Sequence, residues 1–115
     1  MEQKFYDAYN TLERQRIRLE KEILLNEKDI ENALIEAKEN SKIVHVLKIE
    51  KAYMCAVASY KKNFELRKND RNYKEGDYLL LKTEGFEDIA LFREIRYIFH
   101  GGQFGLDKDY VILSI

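Results

Sequence analysis

The stretch KKNFELRKNDR, residues 61–71, gathers five cations, Lys61, Lys62, Arg67, Lys68 and Arg71, around two acids, Glu65 and Asp70, for a local balance of +3. Read as an extended strand, FELRK alternates, so Glu65 and Arg67 share one face and Phe64 and Leu66 the other. The apolar pair is expected to point into a core. That leaves a carboxylate and a guanidinium side by side, able to meet the base or sugar of one ligand, while Lys61, Lys62, Lys68 and Arg71 can meet phosphates. The plain alternative is a solvated ion pair that contributes little. For a hydrolytic reaction, Lys62 and Glu65 are the acid–base groups this stretch offers, with His45 as a third. An imidazole inside an apolar strand such as KIVHVLKI is more commonly structural.

The other candidates are weaker. HGGQFG, residues 100–105, lacks the strand, turn and helix order and the lysine of a phosphate-binding P-loop, so positive φ at Gly101, Gly102 or Gly105 is the simpler reading. Gln103 and Phe104, set between those glycines, could read a base edge and stack on a base. Asn69 and Asp70 are turn residues whose side chains bond nearby amides, leaving Lys68 and Arg71 to flank the cleft. Tyr53, Tyr60 and Tyr73 could line the same opening. The lone Cys55 has no disulfide partner, and with only His45 and His100 besides it the spacing supports no metal site and no cofactor. Cys55 is read as core filling.

Two kinds of element must position these groups. Residues 2–41 contain neither Gly nor Pro and are rich in Glu, Lys, Leu, Ala, Arg and Gln, which predicts one long helix. Phe5, Tyr9, Leu12, Arg16, Leu19, Ile23, Asn26, Ile30, Ala33 and Ala37 recur at alternating steps of four and three, the seam of a coiled coil. An unbroken helix of that length would run on the order of 55–60 Å, beyond a small domain, so residues 1–41 are expected to pair as a homodimer or to hold a protein partner. A competing reading breaks the helix at NEKD, where Asn26 caps a second one.

Residues 42–115 change character. KIVHVLKI, FELRK, YLLLK, ALFREIRYIF and YVILSI read as five strands and KAYMCAVASY as one short helix. The expectation is an α+β chain: a small β-barrel with a short helix, preceded by the long N-terminal helix. The whole is 115 residues, 45% hydrophobic and 36% charged, room for one domain and an appendage. Residues 1–42 carry a net −2 and residues 43–115 a net +1, so neither is a polycation and any nucleic-acid binding must rest on the patch at 61–71. No apolar run approaches the roughly 20 residues of a membrane span, and MEQKFYD is no signal peptide, so a cytoplasmic protein without membrane contact is expected.

HVLKI at 45–49, KKNFELRKNDRNYKEGD at 61–77 and IRYIFHGGQFGLDKDYVILSI at 95–115 together resemble a small bacterial and phage family of uncharacterised domains, similar to the ASCH domains of the PUA-like superfamily. The resemblance covers nearly all of residues 43–115. It implies a PUA-like barrel, a cleft beside the first helix, and a role in binding RNA or modified nucleotides. Its characteristic element, a Lys-containing turn leading to a Glu-x-Arg strand, falls on Lys61, Lys62, Glu65 and Arg67. Some ASCH relatives hydrolyse an acetylated cytidine with a Lys, a Thr and a Glu on a later helix. Lys62 matches the first, Glu65 stands at the Thr position, and residues 79–99 leave no room for that helix. The expectation is therefore a non-enzymatic RNA- or nucleotide-binding module with a helical dimerisation segment. The alternatives are a protein-interaction regulator of phage or mobile-element type, in which the helix binds the partner, and a hydrolase of modified nucleosides or RNA.

Overall fold

The computed structural model describes residues 23–115. In chain order they form β1 (Ile23–Leu24), α1 (Glu27–Glu39), β2 (Val44–Lys48), α2 (Lys51–Ala58), β3 (Phe64–Lys68), β4 (Tyr78–Lys82), β5 (Ala90–Glu94), β6 (Tyr97–His100) and β7 (Tyr110–Ser114). The strands make two sheets, ordered β1-β5-β4-β2 and β3-β7-β6. β2 runs parallel to β4, and the other pairings are antiparallel.

The helix expected over residues 1–41 is not continuous. Residues 1–22 lie outside the described part, but Ile23 and Leu24 pair with Leu91 and Ala90 of β5, and α1 starts only after Asn26. Asn26 is extended, with φ −155°, and its Oδ1 accepts a hydrogen bond from the Asp29 amide at 2.8 Å. That satisfies one of the orphan donors of the first turn, and Glu27 and Asp29 complement the helix dipole there. The break at NEKD is thus the arrangement adopted. The last seam positions are used within the chain: Ile30 packs with Leu24, Leu80 and Ala90, and Ala33 joins them. The helix closes on Ser41, whose φ of 56° is left-handed, with the Lys42 amide donating to the Ala37 carbonyl at 2.8 Å.

β4 explains the layering. Its three leucines are buried, Leu80 toward α1 and Leu79 and Leu81 toward the main core, where they meet Leu47, Ile49, Val57, Val111 and Leu113. ALFREIRYIF, expected as one strand, is two. The Ile95 amide donates to Asp77 O and the Arg96 amide to Ser114 O, so the chain leaves the first sheet and joins the second at the fully buried Ile95.

The two sheets do not close into the expected barrel. The free edge of β2 and the free edge of β3 are joined by arginine side chains instead of a backbone ladder. Arg67 Nη2 donates to the Lys48 carbonyl at 2.8 Å, and Arg71 Nη1 to the Val46 carbonyl at 2.9 Å. Among the described residues, no helix is long and apolar enough to cross a membrane.

Candidate functional site

The site is built from the end of α2. Met54 and Val57 pin that helix to the core. Beyond it Tyr60 takes a left-handed φ of 62°, uncommon for a bulky residue, and the amides of Lys61 and Lys62 both donate to the Ala56 carbonyl, at 2.9 and 3.0 Å. The Tyr60 ring lies 4.9 Å from the Arg93 guanidinium, which favours this strained turn. The turn delivers Lys62 beside the start of β3. Cys55 is exposed and does not fill the core, because Met54, Val57 and Ala58 already supply the inward side of α2.

β3 is turned over relative to expectation. Glu65 is 3% exposed, whereas Phe64 and Leu66 are 46% and 51% exposed. The buried charge is tolerated because both of its oxygens are engaged. Oε1 accepts from Lys62 Nζ at 2.5 Å, and Oε2 accepts from Arg67 Nε at 3.0 Å and lies 2.9 Å from Arg67 Nη2. Lys62 Nζ also sits 5.0 Å from the Phe64 ring and 5.3 Å from that of Tyr53. These groups line a cleft of about 510 Å³ between the edges of β2 and β3, beside α2. Its lining includes Lys48, Lys62 and Arg67 against Glu50 and Glu65, one positive charge in excess. Glu65 and Arg67 therefore share a recess, with the carboxylate already committed to its neighbours.

The remaining predicted residues fall around this centre. Lys61 is exposed after the turn, Lys68 is exposed on the outward face of β3, and Arg71 guards the β2 seam. The turn at 69–70 is held by backbone: the Asn69 amide donates to Asp109 O at 2.7 Å and the Asp70 amide to Lys68 O at 2.9 Å. Gln103 and Phe104 do not line the cleft. Gln103 Nε2 donates to His100 O within its own hairpin, and Phe104 is 92% exposed with its ring 6.2 Å from that of Phe99. Gly102 and Gly105 have positive φ, while Gly101 is required by close approach, since a Cβ there would fall 1.8 Å from Asp107 O.

His45 and Tyr73 belong to the core behind the seam. His45 Nε2 is 2.9 Å from Asp77 Oδ2, and its ring meets Tyr73 edge-on at 4.8 Å. Burial pushes the Tyr73 hydroxyl above its ordinary value, with Arg71 pulling the other way. Phe64 and Leu66, expected in a core, line the cleft, and so do Lys48 and Glu50 of the β2–α2 segment, which had not been singled out. They reach it across a seam between segments distant in sequence, for which no local pattern exists.

A larger cavity, about 640 Å³, lies between α1 and the first sheet, but Asp29 and Glu36 against Lys42 make its lining unsuited to an anion. The cleft's residues all fall within a single stretch, 44–115, that matches one family model. This chain belongs to the DUF3850 family, a domain of unknown function. The DUF3850 match takes in β2 to β7 with the whole cleft, and leaves β1 and α1 outside. No curated protein matches the chain.

Proposed function

We propose that this DUF3850 chain is a non-enzymatic module that binds a nucleotide or a segment of RNA in the cleft between β2 and β3. The observation that carries the reading is the buried Glu65 carboxylate, clasped by Lys62 and Arg67 in an open recess rimmed by the Tyr53 and Phe64 rings. Glu65 acts by positioning: it fixes two cations at the mouth of the cleft. Lys62 retains donors beyond the one given to Glu65, and Arg67 Nη1 makes no hydrogen bond among the described residues. Those donors face a phosphate or a base edge, with Lys61, Lys68 and Arg71 as outer phosphate contacts and the Tyr53 and Phe64 rings as stacking surfaces. In this reading the Glu65 carboxylate serves to hold Lys62 and Arg67 instead of acting as a base.

The wider kinship with ASCH-like, PUA-like domains is part of the proposal. It is supported by the placement of Lys62, Glu65 and Arg67 beside the first helix of the matched region. A homodimer through residues 1–41 would not use Ile30, which packs on its own sheet. Calorimetric titration with nucleoside monophosphates and short RNA oligomers tests the main reading. Affinity for the RNA oligomers should fall by about an order of magnitude or more between roughly 50 and 200 mM salt, and binding should be lost in Arg67→Ala. No binding to any of them at low salt would overturn it.

A further inference from the structure

The reversal of β3 has a second product, on the outside of the smaller sheet. Residues paired directly across strands share a face, so Phe64, Ser114 and Tyr97 form one outward row and Leu66, Ile112 and Phe99 the next. Lys68 and Tyr110 continue the pattern. Their inward neighbours, Glu65, Leu113 and Ile98, are buried. Tyr97 is 60% exposed and Tyr110 39%, alongside Phe64 and Leu66. Half of these eight outward side chains are aromatic, one is a cation and none is a carboxylate. Phe64 and Leu66 also line the cleft, so the recess and the face are continuous across β3.

From this continuity we infer that the outer face of β3-β7-β6 is a stacking platform for single-stranded RNA, carrying the nucleotides adjacent to the one held in the cleft. The inference rests on the proposed nucleotide reading of that cleft and extends its ligand from a mononucleotide to a strand. Size separates this occupant from a second copy of the chain. Three strands about 4.8 Å apart and five residues of about 3.4 Å each span roughly 14 by 17 Å, or some 240 Å². A stable protein interface needs about 800 Å² on each partner. A sheet surface bearing exposed rings is instead the scale on which about two or three unstacked bases are held. Charge agrees: with no carboxylate on the face and with Lys62 beside Phe64 and Lys68 one row beyond Leu66, a backbone crossing β3 meets cations at both ends.

The test compares fluorescein-labelled hexauridine with uridine monophosphate on the full chain and on Tyr97→Ala and Tyr110→Ala, both at exposed positions where folding is spared, as melting curves would verify. The expected result is tighter binding of hexauridine than of the mononucleotide. Each substitution should weaken hexauridine by roughly five-fold or more and leave the mononucleotide unchanged. Equal affinity for the two ligands, or hexauridine binding unmoved by both substitutions, overturns the platform while the cleft reading stands. Binding of neither ligand overturns both. A concentration-dependent dimer that Tyr97→Ala dissolves would assign the face to a second copy and also overturn the platform.

Discussion

Replacing Arg67 by alanine removes the central tie of the β2–β3 seam. The lost contacts are two guanidinium nitrogens on Glu65 Oε2, at 3.0 and 2.9 Å, and one on the Lys48 carbonyl, at 2.8 Å. Breaking a fully buried ion pair costs about 3–5 kcal/mol because a charge is left uncompensated. Here Glu65 keeps Lys62, and the Arg67 side chain is 25% exposed, so solvent screens part of the interaction. The expected loss is therefore about 2–3 kcal/mol, or a fall in Tm on the order of 10 °C for a chain of this size. Arg71→Ala removes one bond from an exposed side chain to Val46 O and should cost about 0.5–1 kcal/mol. Urea unfolding followed by far-ultraviolet circular dichroism measures both. In a double-mutant cycle, Glu65→Gln and Arg67→Ala should be non-additive by about 1 kcal/mol or more. If Arg67→Ala stays within about 0.5 kcal/mol of the unsubstituted protein and shows no coupling, the tie is an ordinary surface pair and the seam is held by something else.

Three further outcomes follow from local geometry. Ser41→Gly should stabilise by about 0.5–1 kcal/mol in the same urea assay, because Ser41 carries a left-handed φ of 56° at the close of α1. Gly101→Ala should destabilise by about 2 kcal/mol or more, since its Cβ would lie 1.8 Å from Asp107 O and 2.6 Å from Tyr110 O, both backbone; an unchanged melt would show that the hairpin can yield. The raised Tyr73 value means that the folded chain holds this proton more tightly than the unfolded one, so the associated stability is present below the ordinary value of 10.0 and is lost as pH rises through the higher folded value. Stability measured between about pH 9 and about pH 11 should fall less steeply in Tyr73→Phe than in the unsubstituted protein, and equal slopes would refute the assignment.

What could be read from the residues alone depended on whether the deciding interaction was local. The cap at Asn26, which the residues offered as the competing reading to an unbroken helix, the strand character of FELRK and YLLLK, and the positive φ of Gly102 and Gly105 follow from nearest neighbours. The failures are all tertiary. Ile23 and Leu24 carry helix-compatible composition, yet they pair with β5, where Leu24 is buried against Leu80 and Ala90. Nothing in ALFREIRYIF announces the change of sheet, because it is set by Asp77 and Ser114 accepting from consecutive amides. The grouping of Lys62, Glu65 and Arg67 was legible from spacing, but the face was not. Alternation tells which residues stand together and leaves open which side is inward.

That choice of side is where fold and proposed function meet. Facing β3 the other way would bury the exposed half of Phe64 and Leu66, now 46% and 51% exposed, a gain of about 0.7–1.5 kcal/mol each, and would return Glu65 to water. Against a total stability of about 5–15 kcal/mol this is a substantial forfeit. The observed facing is nevertheless pinned from both ends: the Ile115 amide donates to Asn63 O before the strand, and the Asn69 amide to Asp109 O after it. A one-residue slip would break both bonds, and it would carry Arg67 and Arg71 away from the β2 carbonyls of Lys48 and Val46. The chain thus forgoes apolar burial at two positions of a small core and spends a buried carboxylate on holding two cations. An inert scaffold strand would need neither arrangement, and under the proposed function the recess inside β3 and the rings outside it are two sides of one binding element.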